Sequence, residues 1–325
     1  MSAPRAGLRP ARPPWGSRKL GTARRFLVSL FEALPVAPAL LGESPFWHPD
    51  EAALYWVDIP GKRLHRFHPE TSAQQLWQFD TEPGCVAPLA GGRLLLAMRD
   101  GLFRFDPASG ERELLCAPPY DPSRLRFNDG KADPQGRLWA GTYFDARNAP
   151  AAALYRWAGD GFEQMAGDIT VSNGLAFSPD GRTLYWCDTP SHRVMAYDFD
   201  GSAGAISRPR VFVQFEPKPE GGDLSAYGGR PDGAAVDAEG AYWCAMFEGQ
   251  RLMRVAPDGR VLQEMALPVR CPTMPCFGGA DLRTLYVTTA RIGRPEAELA
   301  SQPLAGCVLS LRVDVPGLPV NFAKI

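Results

Sequence analysis

The sequence predicts an all-β chain, a six-bladed β-propeller with four-stranded blades. Three observations carry this expectation. Gly and Pro fall as short punctuation between apolar runs, a pattern that favours many short strands over helices. One apolar phrase recurs six times, at Leu54-Tyr55-Trp56, Leu94-Leu95-Leu96, Leu138-Trp139-Ala140, Leu184-Tyr185-Trp186, Tyr242-Trp243-Cys244 and Leu285-Tyr286-Val287. The copies stand roughly 40 to 57 residues apart, the period of propeller blades rather than of helical repeats.

Within each unit the elements follow in a fixed order. A turn such as Asp133-Pro134-Gln135-Gly136, Ser178-Pro179-Asp180-Gly181 or Asp237-Ala238-Glu239-Gly240 introduces the phrase. A second short strand follows, as in Arg63–Phe67, Gly101–Phe105, Leu154–Trp157, Val194–Tyr197 and Leu252–Val255. Four strands per blade bury alternate side chains between neighbouring sheets, which accounts for Trp and Tyr at equivalent positions. A ring must also be closed, and Leu30–Val36, strand-like and ahead of the first full unit, is placed to complete the last blade. A β-sandwich is the competing architecture, but it does not require six copies of one phrase.

Composition sets the remaining bounds. The chain has 325 residues, 45% of them hydrophobic, enough for a large single core. Residues 28–325 are expected to form one propeller domain. Before Glu32 there is no acidic residue, yet Arg5, Arg9, Arg12, Arg18, Lys19, Arg24 and Arg25 all lie there. Without these seven cations the remainder holds 28 basic and 36 acidic residues. Such Arg-rich, acid-poor composition resembles a transit peptide, but residues 1–27 are expected to be a disordered basic tail. A formal charge of -1 argues against nucleic acid or anionic membrane as the main partner. No apolar run approaches the roughly 18 residues of a membrane span. Seven scattered cysteines, an odd count with no C-x-x-C spacing, suggest reduced core thiols in a cytoplasmic protein. The chain is expected to be a monomer or weak dimer. With four histidines and His65 and His68 the nearest pair, a histidine-ligated zinc site is not expected.

Some ten residues before each phrase, where the innermost strand of each blade should begin, polar groups recur. The segments are Gly42-Glu43-Ser44-Pro45, Phe127-Asn128-Asp129-Gly130, Ser172-Asn173-Gly174 and Pro231-Asp232-Gly233. The other two units show Pro83-Gly84-Cys85 and Thr273-Met274-Pro275. Taken singly, Asn-Gly and Asp-Gly are ordinary turn dipeptides. Their shared register, with turns already supplied elsewhere, argues instead for a ring. Innermost strands run along the channel in one direction, so Glu43, Asn128, Asn173 and Asp232 should converge on one mouth. Two carboxylates with one or two carboxamides make an all-oxygen site suited to one divalent cation. Hard oxygen ligands favour calcium, magnesium or manganese, with zinc and ferrous iron also open. Arg126, two residues before Asn128, falls on the same face by alternation and can hold substrate hydroxyls or an oxyanion. Asp129 falls on the opposite alternation.

These residues resemble the motifs of the SMP-30/gluconolactonase family. Leu41–Trp47 is similar to its opening motif. Arg126–Lys131, Ser172–Leu175 and Arg230–Gly233 follow in its order, and Cys276-Phe277-Gly278-Gly279 resembles a later signature. The resemblance covers about residues 28–320. It implies Glu43, Asn173 and Asp232 as metal ligands, Asp232 also as general base, and Arg126 and Asn128 as substrate contacts. It further implies hydrolysis of aldonolactones, such as gluconolactone, xylonolactone or arabinonolactone. A metal-dependent propeller esterase or phosphotriesterase, or a non-catalytic calcium-binding propeller, are the alternatives. Two departures stand out. Ala146 replaces a substrate-contacting glutamate of some members, with Asp145 beside it, and Glu216–Gly229 is longer than in compact members.

Overall fold

The computed structural model describes residues 31–157, 159–221, 224 and 226–325; the basic segment 1–27 and Leu30 lie outside them. A two-residue strand β1 (Glu32–Ala33) precedes the first blade, β2 (Gly42–His48), β3 (Ala53–Asp58), β4 (Arg63–His68) and β5 (Ala73–Gln78). The second blade is β6 (Pro83–Pro88), β7 (Leu94–Met98), β8 (Gly101–Phe105) and β9 (Arg112–Cys116). The third is β10 (Leu125–Ala132), β11 (Leu138–Phe144), β12 (Ala152–Trp157) and β13 (Phe162–Ile169). The fourth is β14 (Ser172–Phe177), β15 (Thr183–Asp188), β16 (Arg193–Asp200) and β17 (Ala205–Gln214). The fifth is β18 (Arg230–Val236), β19 (Tyr242–Phe247), β20 (Arg251–Val255) and β21 (Val261–Ala266). In the sixth, β22 (Pro272–Gly278), β23 (Thr284–Thr289) and β24 (Leu309–Arg312) are completed by β1, giving six four-stranded antiparallel sheets.

Every apolar phrase lies in the second strand of its blade, one step out from the channel. The ring closes through Glu32 and Ala33, paired with Ser310 and Leu309, and through Leu34 N–H donating to Val308 O at 2.9 Å. This is the closure expected of Leu30–Val36, confined to fewer residues.

The core is divided by blade junction. Tyr55 and Val57 of the first blade pack with Leu94 and Leu96 of the second. Trp47, Leu54 and Trp56 pack with Cys276, Tyr286 and Val308 across the closing junction. Four further clusters fill the remaining junctions. Burial of a Trp also requires a partner for its indole N–H. Asp133 supplies one: its Oδ1 accepts the N–H groups of Gln135 and Arg137, and its Oδ2 accepts Trp139 Nε1 at 3.0 Å. Asp237 repeats the device for Trp243 at 2.8 Å. The turn that introduces each of these strands therefore also fixes its Trp.

Beyond the sixth blade the chain crosses the far end of the channel. Gly317 pairs with Asp237 and Ala323 with Leu89, while Asn321 Nδ2 donates to Ala132 O at 3.1 Å. All seven cysteines are free, and six are buried. Among the described residues no helix is long and apolar enough to cross a membrane.

Candidate functional site

All six innermost strands change register where the polar segments lie. The shifts fall between Glu43 and Phe46, Phe127 and Gly130, Asn173 and Ala176, and Pro231 and Ala234, with shorter ones at Pro83/Cys85 and Pro272/Met274. The polar segments are thus bulges inside strands rather than connecting turns. A bulge inserts one residue, bends the strand and re-aims a side chain. Gly174 shows why glycine stands here: its φ is +67°, and a Cβ would lie 2.4 Å from the Tyr242 hydroxyl, which donates to Gly174 O at 2.8 Å.

The bulges bring together residues of different blades. Arg126 Nη1 donates to Asn128 Oδ1 at 2.6 Å and to Phe127 O at 3.0 Å. Asn128 Nδ2 donates to Ser172 O and to Asn173 Oδ1, both at 2.8 Å. Asn173 Nδ2 donates to Thr189 Oγ1 at 2.8 Å, and that hydroxyl donates to Pro231 O at 2.9 Å, next to Asp232. The guanidinium carbon of Arg126 sits 4.3 Å from the centroid of the Tyr143 ring, its cross-strand neighbour.

Glu43 and Asp232 are 6% and 5% exposed, and among the described residues neither has an ion pair or a side-chain partner, only the backbone amides of Ser44 and Gly233 respectively. Burial drives both carboxyls above their ordinary values, Asp232 to about 8. Glu43 also feels the carboxylates of Asp232 and Asp129; for Asp232, Arg230 opposes the rise and Asp129 adds to it. Asp129 is buried as well; its Oδ2 accepts Leu175 N–H at 2.8 Å while Oδ1 has no partner. Burial raises its carboxyl too, and Lys131 beside it works in the opposite direction. Buried carboxylates set against one another without a cation are costly. Two unpaired carboxylates, and Asn173 Oδ1 with one lone pair left, form an oxygen donor set that fits a divalent cation. No group of three or more His, Cys, Asp or Glu side chains with metal-site geometry occurs among the described residues.

Arg126 and Asn128 stand in this network, but both amide hydrogens of Asn128 are occupied within the ring. Asp145 points to a different role from substrate contact: it pairs with Arg99 at 2.9 Å, and Arg99 also pairs with Glu82 at 2.9 Å, while Ala146 is exposed. Sequence reasoning missed Thr189 and Tyr143. Tyr143 was accessible through cross-strand register with Arg126; Thr189, just past the end of β15, had no signal of its own.

The family described as SMP-30/Gluconolactonase/LRE-like region matches residues 41–291. The chain belongs to this family. It is 44% identical over 283 residues to 6-deoxy-6-sulfogluconolactonase of Pseudomonas putida, across 86% of this chain and 94% of that protein. It is 36% identical to regucalcin of Danio rerio, across 86% of this chain and 93% of that one. A crystal structure of a calcium-binding protein, regucalcin, from Agrobacterium tumefaciens superposes with a TM-score of 0.84 at 29% identity, over 90% of this chain and 97% of that one. The SMP-30/gluconolactonase scaffold therefore extends over nearly all of the described propeller.

Proposed function

We propose that this chain, a lactone-hydrolysing enzyme by its family, opens aldonolactones at the channel mouth with the help of one divalent cation. The observation that carries the reading is the pair of buried, unpaired carboxylates Glu43 and Asp232 beside Asn173. These three residues would hold the cation, which when bound polarises a carbonyl and acidifies water.

The protein's own groups account for the remaining chemistry. Asp232 takes a proton from the attacking water as the oxygen bonds to the lactone carbonyl carbon. The ring C–O bond then breaks, and the proton passes to the departing alkoxide, leaving an aldonic acid with a free hydroxyl, whose carboxyl releases its own proton to solvent to give the aldonate. Arg126, buried and held by Asn128 and Phe127 O, presents its remaining N–H groups to the developing oxyanion or the sugar hydroxyls. Asn128 chiefly orients Arg126 and Asn173, and its Oδ1 keeps one lone pair for a substrate hydroxyl. Gluconolactone, xylonolactone and arabinonolactone are the first substrates to consider. The name of the Pseudomonas putida relative extends the range to hexonolactones bearing a sulfonate at C6. Calcium is the first cation to consider, given the calcium-binding name of the Agrobacterium structure.

The test is a panel of pentono- and hexonolactones, an aryl ester and a phosphotriester, assayed on purified protein with its metal content measured. Metal-dependent turnover confined to the lactones supports the reading. Turnover of the phosphotriester alone, or of nothing while calcium binds, overturns it.

A further inference from the structure

Charged side chains ring the mouth. On the side of the second and third blades, Arg99 lies between two carboxylates, Glu82 and Asp145. On the side of the fifth blade several cations share one carboxylate. Lys218, Arg230 and Arg294 all converge on Glu248, at 2.9, 3.4 and 3.1 Å. Arg294 is further held by both oxygens of Glu298, at 2.7 and 2.6 Å. Lys218 and Arg230 thus share the single carboxylate of Glu248 while remaining 36% and 24% exposed, and Arg230 also acts on the buried Asp232.

Topology puts this cluster at the same end as the polar ring. Arg230 opens β18 two residues before Asp232 and pairs in register with Phe247, the end of β19. Glu248 follows directly, Lys218 follows β17, and Arg294 follows β23, all of which end on that side. The position is built rather than incidental. Glu248 has a φ of +62°, which a non-glycine residue adopts only when its surroundings hold it there. Gly229, with φ +86°, passes so close to the turn after Glu248 that a Cβ would lie 2.6 Å from the Gly249 nitrogen. The backbone carrying Arg230 is thereby locked against the backbone carrying Glu248. His192, whose Nε2 lies 2.7 Å from the Tyr227 hydroxyl and accepts Lys218 N–H at 3.2 Å, fixes the approach of Lys218.

Resting on the lactonase reading above, we propose that Lys218 and Arg230 form a subsite for an acidic substituent on the lactone, distal to its carbonyl. A neutral sugar offers these two cations no charged partner beyond the Glu248 they share, whereas a sulfonate or phosphate at C6 accepts charge-assisted hydrogen bonds from both side chains. The same cations raise the local concentration of an anionic substrate at the mouth.

The experiment compares gluconolactone, 6-deoxy-6-sulfogluconolactone and 6-phosphogluconolactone on the full chain and on Arg230→Gln, Lys218→Gln and Lys218→Arg. The readout is the ratio of kcat/KM for an anionic lactone to that for gluconolactone, which a general loss of folding or chemistry does not move. Wild type should favour one of the anionic lactones, and whichever is preferred names the substituent. Each Gln variant should lower that ratio by about tenfold or more, mainly through KM, and Lys218→Arg should keep most of it. An unchanged ratio in both Gln variants, or no preference in wild type, overturns the subsite. Calorimetric binding of 6-deoxy-6-sulfogluconate against gluconate keeps the two readings separable. A chain that turns over no lactone yet binds the sulfonated acid through these residues loses the lactonase reading and retains the subsite.

Discussion

Asn128 and Asn173, 45 residues apart in sequence, join the third and fourth blades through a 2.8 Å hydrogen bond from Nδ2 to Oδ1. The bond is one step of a relay that runs from Arg126 through both carboxamides to Thr189 and the Pro231 carbonyl of the fifth blade. It fixes the orientation of the Asn173 carboxamide. With Nδ2 committed to Thr189 and Oδ1 accepting from Asn128, the one lone pair left on Oδ1 is what the proposed site would offer a hard cation.

Thr189 should therefore tune metal affinity without touching metal. Thr189→Val keeps the volume but removes the hydroxyl that receives Asn173 Nδ2, freeing the amide to rotate. Loss of such an orienting partner typically weakens metal binding by about 10–100-fold. Calcium or manganese titration of the variant should show a loss in that range, and Thr189→Ser should restore affinity. Unaltered binding in Thr189→Val means the relay does not orient Asn173.

His65 should contribute to acid sensitivity. Its ring stacks on Trp56 at 4.8 Å, its Nε2 is buried without a partner, and burial lowers its pKa to about 4, with Asp58 opposing. The folded pKa lies below the unfolded value of about 6.5, so both states are neutral above that pH. As pH falls from about 6.5 to 4 the unfolded chain takes up a proton that the folded chain refuses, and stability drops by at most about 3 kcal/mol. Urea unfolding between pH 7.5 and 4.5 should show a shallower decline for His65→Gln than for wild type. Parallel declines sink the assignment.

Residues 1–27 should be dispensable. They are Arg-rich and hold no acidic residue, and the closing strand begins with Glu32. Deleting Met1 to Leu27 should leave lactone turnover and Tm nearly unchanged. Loss of soluble folded protein on that deletion would instead place the segment against the propeller.

The blades were legible because one physical requirement repeats: each second strand is buried on both faces, so it reads Leu-Tyr-Trp or Leu-Trp-Ala without alternation. The candidate site was legible through register, since polar groups recur at one offset from that phrase. What escaped depends on contacts between distant segments. The bulges cannot be read from Asn-Gly or Asp-Gly, which serve turns equally well. The Arg99–Asp145 pair joins different blades, 46 residues apart. The channel-crossing segment Gly317–Ala323 has no repeat to align with and takes its course from backbone pairing with the second and fifth blades. Thr189 looks like any strand-end threonine until the fourth and fifth blades are set side by side.

Asp232 gives the sharpest test of the site. In the proposed reading this buried carboxylate provides half the ligand charge and the proton acceptor. Asp232→Asn preserves shape while removing both. General-base catalysis alone is typically worth about 10²–10⁴-fold, so lactone hydrolysis should fall by at least a hundredfold, with lower metal content and an unchanged circular dichroism spectrum. Metal should raise the wild-type Tm, because a ligand that binds only the native state stabilises it. Stripping metal with a chelator should reverse that rise. In Asp232→Asn the increment should shrink, and the apo variant should melt close to the apo wild type at neutral pH, since burial already pushes the metal-free carboxyl to about 8 and a neutral amide resembles its protonated form. Asp129→Asn should reduce turnover less, because Asp129 Oδ2 is already engaged with Leu175 N–H, 2.8 Å away. Near-full activity and metal content in Asp232→Asn would leave Asp232 a structural bulge residue and the channel mouth without its proposed base.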